Sequence, residues 1–418
     1  KAEISYNIAP ELKTQTSFFA FVVIGRNASV AFNNTSVMLN PPTSHYEFLG
    51  PPGALLTSFG VCIVSFALFF LCTEDGCPPK ELEIKWNKFW SWKITGLYLV
   101  WWILLLAMTI IVPGNYVQGT KLRDGKNLSY KMNGFRIFIL VYSITLAIAY
   151  KSPSTLAYLA DNFLPLISVT SLFSFLLAVF VYFRSYKSSA MLALGGNSSS
   201  GIYNWFIGRE LNPRISILNL HDLDLKEWCE LRPGLILWTI LNLSFAMKQY
   251  VSLGYVQLSM ILVNIFQFMY VWDSLYNEPA VLTTMDITTD GFGFMLSFGD
   301  LSWVPTTYSL QARYLSLFPR DFSTKMMAMV IVTQIVGYYI FRSSNSQKNE
   351  FRKDPNASTV KHLKFLETKA GSLLLISGWW GTARHINYLG DWIMACSWCL
   401  TTGFNTPITY FYVVYFAV

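Results

Sequence analysis

The sequence predicts an all-α membrane protein that crosses the bilayer many times, and three observations carry that prediction. Of its 418 residues, 53% are hydrophobic and 13% are charged, against roughly 25% charged in an average soluble domain. The 32 Phe, 23 Tyr and 14 Trp are spread over long apolar runs, the pattern of a chain whose solvent is mostly lipid. Clusters of Lys and Arg fall in short loops between those runs. This composition excludes a water-soluble globule, collagen, a disordered chain and a disulfide scaffold. The net charge of +7 reads as basic cytoplasmic loops rather than as a nucleic-acid partner.

Residues 1–50 read as a polar lead-in and 51–418 as one multi-span domain. The apolar patch from Phe18 to Ile24 lacks the charged start and small-residue cleavage site of a signal peptide. Both ends look cut, since the chain starts at Lys1 and Val418 falls inside an apolar stretch. A helix needs about 20 apolar residues to cross the hydrocarbon. Ala54–Cys72, Thr95–Val112, Gly134–Tyr150 and Phe163–Phe183 meet that length most clearly. More polar candidates are Gly234–Met247, Gly254–Trp272, Gly293–Leu315, Lys325–Phe341, Gly371–Trp380 and Asp391 onwards, for a total of eight to ten. Segments as short as Gly371–Gly381 cannot span alone, and non-helical backbone at that depth must line a cavity. A pocket is therefore expected near the C-terminal end.

Three basic loops set the orientation. Lys121, Arg123, Lys126 and Lys131 follow the second span; Arg184, Lys187, Arg209 and Arg214 follow the fourth; a third set from Arg342 to Lys369 follows the eighth. All three follow an even number of spans, so they share the cytoplasmic side. Asn-x-Ser/Thr matches at Asn27, Asn33, Asn127, Asn197, Asn242 and Asn356 then fall mostly where no glycan is added. One stretch resists this picture: between Lys248 and Arg313 there is no Lys or Arg, yet Asp273, Glu278, Asp286, Asp290 and Asp300 are present. Either the span count is off by one or the segment folds back into the membrane as a pocket lining. The six cysteines show no metal-ligand spacing, and they are given no redox or zinc role.

Charged side chains at membrane depth face a cavity or pair with each other, and three clusters qualify. In GRELNPR and CELRPG, Arg209, Glu210, Glu230 and Arg232 alternate in sign and read as ion pairs fixing helix ends. In MDITTDGFGFMLSFGDLSWVPTTYSLQARYL, from Met285 to Leu315, Asp, Gly, Thr and Pro are too frequent for a lipid-facing helix, which predicts a discontinuous cavity lining. The third cluster joins Lys348 and Arg352, four apart on one helix face and able to clamp an anion, to Trp379, Trp380, Arg384, His385, Asn387, Tyr388 and Asp391. That mixture of stacking surfaces, cations and hydrogen-bonding groups suits a nucleotide, although no Gly-rich dinucleotide loop or Walker loop is present.

These motifs, with QKNEFR and GWWGTARHINYLGDW, resemble the sterol reductase family from about Glu47 to Val418, and within it the delta-14 branch. The resemblance implies the sterol reductase fold of about ten transmembrane helices, in the endoplasmic reticulum or nuclear envelope. It implies NADPH as cofactor, held by Lys348, Arg352, Leu375, Trp380, Asn387 and Tyr388, with further contacts from a polar tail beyond Val418. It also implies that a sterol drawn from the bilayer is protonated at carbon 15 and receives hydride at carbon 14. Tyr270 aligns with the acid, with Glu278, Asp286 and Asp290 as alternatives; Trp303 and Asp290 are candidate substrate contacts, and no metal is expected. Reduction at carbon 7 or carbon 24(28), or a non-catalytic scaffold resembling the lamin B receptor, are the competing readings.

Overall fold

The computed structural model describes residues 38–187, 191–217, 221–367 and 373–417. Most of the lead-in thus lies outside the described residues. Its last part is pinned to the loop around residue 195: Asn40 Oδ1 accepts from Leu192 N at 2.8 Å, and Glu47 N donates to the Tyr203 hydroxyl at 2.9 Å.

The first half of the chain alternates long apolar helices with short polar turns. Helix α1 (Gly50–Phe70) starts with Pro in its first turn, where a missing N–H costs nothing. Helix α2 (Trp92–Ile111) is capped by Ser91, whose hydroxyl accepts from Ile94 N. The hairpin β1 (Asn115–Gln118) and β2 (Ser129–Met132) leads to α3 (Gly134–Lys151), the short α4 (Pro153–Asp161) and α5 (Phe163–Arg184). Then come α6 (Gly201–Ile207), the hairpin β3 (Arg214–Ile217) and β4 (His221–Asp224), and α7 (Leu225–Leu231).

The second half holds the core. Helix α8 (Pro233–Leu253) is buried along most of its length and ends at Gly254, whose φ of 82° is the left-handed cap that favours glycine. Helix α9 (Leu258–Tyr276) follows. The segment after it does not form one span: α10 (Met285–Thr288), α11 (Phe294–Phe298), a π turn (Gly299–Trp303), α12 (Val304–Thr307) and α13 (Leu310–Leu317) succeed one another. This is the discontinuous lining expected from its composition. Helix α14 (Thr324–Lys353) extends past the expected Lys325–Phe341 and carries Lys348 and Arg352 on its last turns. Helices α15 (Ile386–Leu400) and α16 (Phe411–Ala417) complete the described chain.

Among the described residues, six helical segments are long and apolar enough to cross a membrane: α1, the stretch Trp86–Ile111 that contains α2, α3, α5, α9 and α14. The expected span Gly371–Trp380 is not one of them. Its described part is the strand β6 (Leu373–Leu375), paired antiparallel with β5 (Phe365–Glu367), followed by a 3₁₀ turn at Gly378–Gly381. A Gly-interrupted run this short closes a hairpin on the end of α14 instead of entering lipid.

Contacts sort the loops into two ends. At one end Lys248 pairs with Asp161 at 3.0 Å and Glu74 at 3.6 Å. At the other Arg342 pairs with Asp273 at 3.2 Å and Arg232 with Glu278 at 2.8 Å. The acidic stretch thus lies beside basic residues and folds back into the body. One cysteine expectation is corrected at the first end, where Cys72 and Cys77 form a disulfide. Their five-residue spacing closes the turn after α1, so these two are not inert apolar thiols. Unfolded protein treated with a polyethylene-glycol maleimide is expected to carry four adducts without reductant and six after reduction; six in both would remove the bridge.

Candidate active site

The site is assembled around one buried cation. Asp224 Oδ1 accepts from Lys226 N at 3.1 Å and Glu227 N at 3.2 Å, so α7 begins there. Arg232 follows at the junction with α8, where Pro233 starts the new helix, and its side chain is wholly buried. Its guanidinium donates to Glu227 Oε1 at 2.9 Å, Glu278 Oε1 at 2.8 Å and Asn133 Oδ1 at 3.2 Å. Glu278 also accepts from Gly134 N at 3.0 Å, placing a carboxylate at the N-terminus of α3, where the helix dipole favours it. Burial pushes Glu227 up to about 7 against the pull of Arg232. Burial likewise raises Glu278, with Arg232 and the Gly134 amide opposing it.

Of the four charges in the two motifs, Glu210 and Arg232 form ion pairs among the described residues, with partners that the spacing does not reveal. Glu210 pairs with Arg184 at 3.0 Å, and Arg209 lies over the Tyr186 ring at 4.1 Å. Arg232 takes Glu227 and Glu278 rather than Glu230. A second buried cation, Lys226, donates from Nζ to the carbonyls of Asp290 at 2.7 Å and Ile287 at 3.3 Å, closing the end of α10. Asp286 and Asp290 both act electrostatically on it. Burial, then the neighbouring Asp286, pushes Asp290 up to about 7.

Tyr270 sits in a cluster of packed aromatic rings. Its ring lies 5.4 Å from that of Trp398, 5.9 Å from Trp238 and 6.3 Å from Phe341. Trp238 also meets Tyr308 at 5.1 Å, and Tyr308 meets Tyr412 at 4.5 Å. Helices α8, α9, α14, α15 and α16 therefore contribute to it. The Tyr270 hydroxyl donates to Asp391 Oδ2 at 3.4 Å. Trp303 is buried beside this group, packed on Phe411 at 6.0 Å and Tyr415 at 5.6 Å. Glu278, by contrast, is engaged with Arg232 and the start of α3.

A separate face joins α14 to α15. Lys348 Nζ sits 4.7 Å from the centre of the Trp380 ring, and Trp380 Nε1 donates to Ser344 O at 3.0 Å. Asn387 Nδ2 reaches Asn345 Oδ1 at 3.4 Å, and Tyr388 stacks on His385 with centroids 4.8 Å apart. Arg352 is exposed one turn beyond Lys348, while Leu375 is half-buried on β6 against Phe351, Val360 and Leu363. Asn387 is buried, and its side-chain oxygen, like one oxygen of Asp391, has no hydrogen-bond partner among the described residues. On the same pair of helices, a buried acceptor on α15 and a cation held against an indole by α14 are groups of the kind that a phosphorylated, amide-bearing nucleotide needs.

Asn387 and Asp391 are four apart on α15, so they share one face of that helix. The sequence placed Asp391 with the nucleotide residues and did not foresee its bond to Tyr270. Nor did it single out Lys226 in DLDLKEW, although a Lys among acids beside a span is a signal that could have found it.

Helical segments able to cross a membrane, a buried acid-and-arginine network and an aromatic cluster define a membrane-embedded protein with an internal polar site. The model of the ergosterol biosynthesis ERG4/ERG24 family matches residues 59–418, and the chain belongs to that family. It is 49% identical over 380 residues to a delta(14)-sterol reductase of Schizosaccharomyces pombe, covering 89% of this chain and 88% of the relative. It is 44% identical to the corresponding Candida albicans reductase, covering 91% of each, and 41% identical to that of Saccharomyces cerevisiae, covering 91% and 90%.

Replacing Arg232 with Met would leave Glu227 and Glu278 buried without their cation, a change of the kind that costs about 3–5 kcal/mol. A clear drop in the thermal unfolding midpoint of the detergent-solubilised protein is expected, and an unchanged midpoint would refute the role assigned to Arg232.

Proposed function

We propose that this protein is an NADPH-dependent delta(14)-sterol reductase of ergosterol biosynthesis, resident in the endoplasmic reticulum membrane and spanning it about ten times. The observation that carries the reading is the turn of α15 that joins Asn387, bonded to Asn345 of α14, to Asp391, bonded to Tyr270. The names of the relatives supply the bond reduced, the delta(14) double bond of a sterol, and the family resemblance implies a substrate with conjugated 8,14 double bonds. The Cys72–Cys77 bridge supports an orientation with that loop on the oxidising side and the basic loops in the cytosol.

Lys348 and Arg352 would hold phosphate, Trp380 a stacked ring, and Asn387 and Tyr388 the hydrogen-bonding groups of the nucleotide. The hydride required at carbon 14 would come from bound NADPH. The chain's own residues handle the proton. With Asp391 in its acid form, its O–H donates to the Tyr270 oxygen and the phenol proton is free to transfer to carbon 15. The alkene electron pair forms the new C–H bond, carbon 14 becomes cationic, and Asp391 returns a proton to the phenolate. The faces of Trp238 and Trp398 supply negative π density to that cation.

The sterol would arrive sideways from lipid. An open-sided groove of about 490 Å³ between α9 and α14 is lined by Phe266, Met269, Ile335, Tyr338, Tyr339 and Arg342. Met269, Ile335 and Tyr339 are exposed on the flank where lipid would lie.

Membranes containing the full-length protein, given NADPH and each candidate sterol, should reduce the C14=C15 bond; loss of only a carbon-7 or carbon-24(28) alkene would assign another reaction. Lys348→Ala and Arg352→Ala should each raise the NADPH KM by about ten- to hundredfold, from about 1.5–3 kcal/mol of charged hydrogen bonding. Unchanged NADPH dependence in both would remove the cofactor assignment. Tyr270→Phe should lower kcat by about 10²–10⁴-fold with NADPH still bound, whereas wild-type turnover would move the acid elsewhere.

A further inference from the structure

Two glutamines hold the indoles beside Tyr270, and one of them has hydrogen-bonding capacity to spare. On α9, Gln267 Oε1 accepts from Trp238 Nε1 at 3.0 Å and from Asn242 Nδ2 at 2.6 Å, while its Nε2 donates to Gln311 Oε1 at 3.2 Å. On α14, Gln334 Oε1 accepts from Trp398 Nε1 at 3.2 Å and from the Ser397 hydroxyl at 2.6 Å. An indole N–H can only donate, so the oxygen of Gln334 must face Trp398 and its NH₂ must face another way. That NH₂ has no hydrogen-bond partner among the described residues.

Gln334 is only 4% exposed, yet it lines the groove between α9 and α14. Its oxygen is turned to α15, and the NH₂ is the part left for the groove. The rest of the lining there is apolar, as at Phe266, Met269 and Ile335, or already engaged at the cytosolic end. The Tyr338 hydroxyl donates to Asp273 Oδ1 at 3.2 Å, and Arg342 donates to Asp273 Oδ2 at 3.2 Å and to Asn277 Oδ1 at 2.8 Å.

A buried donor left without an acceptor is destabilising, and acyl chains offer none. A phospholipid would bring its phosphate to a guanidinium that a carboxylate already holds. A sterol matches the groove better: it is a rigid apolar ring system with a single hydroxyl, whose oxygen accepts. Trp398 bonds Gln334 through its N–H and packs its ring 5.4 Å from that of Tyr270. The amide and the phenol thus sit apart, on either side of one indole. The hydroxyl and the delta(14) bond are likewise set apart, on the first and last rings of a sterol.

Resting on the function proposed above, we propose that Gln334 is a specificity-determining residue whose NH₂ donates to the hydroxyl oxygen of the sterol. The sterol enters the groove hydroxyl first and leaves its alkyl side chain toward lipid. Trp398 and Ser397 hold the amide oxygen, which keeps the donor turned to the substrate. A contact to a remote hydroxyl, made equally before and during the reaction, acts on KM and leaves kcat near its wild-type value.

Gln334→Met, of similar length, and Gln334→Leu test this in the complete protein in lipid nanodiscs. Each is assayed with the 8,14-diene sterol and with the same molecule lacking the 3-hydroxyl. The wild type should prefer the hydroxylated sterol by about tenfold in kcat/KM, the size of one hydrogen bond with a buried partner. Both variants should lose that preference, with the KM of the hydroxylated sterol rising toward that of the deoxy compound. A merely structural role would lower both substrates alike and keep the ratio. Equilibrium binding of the two sterols without NADPH reads the same ratio independently of turnover. A wild-type ratio near one, as expected if the groove takes a phospholipid, or a tenfold ratio retained in both variants would overturn the assignment. If the binding ratio behaves as described but no alkene is reduced, the contact stands and the reductase reading falls; if the alkene is reduced with no such ratio, the contact alone falls.

Discussion

A charge inside a lipid-embedded body must find a partner, and the Arg232 guanidinium is where this chain meets that requirement most completely. It joins the end of α7 through Glu227, the loop before α3 through Asn133, and the segment after α9 through Glu278. Glu278 in turn holds the first amide of α3. Without that clasp Glu278 would have no counter-charge inside and every reason to stay in water. With it, Glu278 is fixed and the next forty residues turn back into the protein, which is why Asp300 and the π turn lie against α7 and α8 and not in an extramembrane loop.

The second constraint is steric. Helices α14 and α15 approach through Gly337 and Gly390, where an added Cβ on Gly337 would meet Met394 N at 2.7 Å and one on Gly390 would meet Gly337 O at 2.9 Å. Small residues at a helix crossing let backbones pack closely in lipid. This contact sets Lys348 on α14 against Trp380 and Asn345 against Asn387, and it puts Asp391, one turn deeper, within reach of Tyr270. In the proposed reaction the nucleotide and the sterol meet across that single turn.

Much of this was legible in the sequence because burial in lipid leaves a simple mark. The runs that became α1, α2, α3 and α5 were plain from length and hydropathy, and the mixture of Asp, Gly and Pro in Met285–Leu315 correctly pointed to a broken lining. Pairing was harder to read. Arg232 and Glu230 are two apart, yet Arg232 bonds to Glu278, 46 residues on, because tertiary folding chooses partners by space. The Cys72–Cys77 bridge went unseen since apolar surroundings at Cys72 suggested a buried thiol, although a second cysteine five residues later in a loop was the available clue. Gly371–Trp380 looked like a weak span because three leucines and an isoleucine raise its hydropathy; its length suits a strand.

In the proposed reaction an acid in the protein interior and a nucleotide on the α14–α15 face act on the two ends of one alkene. Tracing hydrogen into the product tests this most directly. With NADPH deuterated at the transferring position in ordinary water, the label should appear at carbon 14. With ordinary NADPH in deuterium oxide, it should appear at carbon 15. Deuterium from the solvent at both carbons, or nucleotide label at neither, would contradict it.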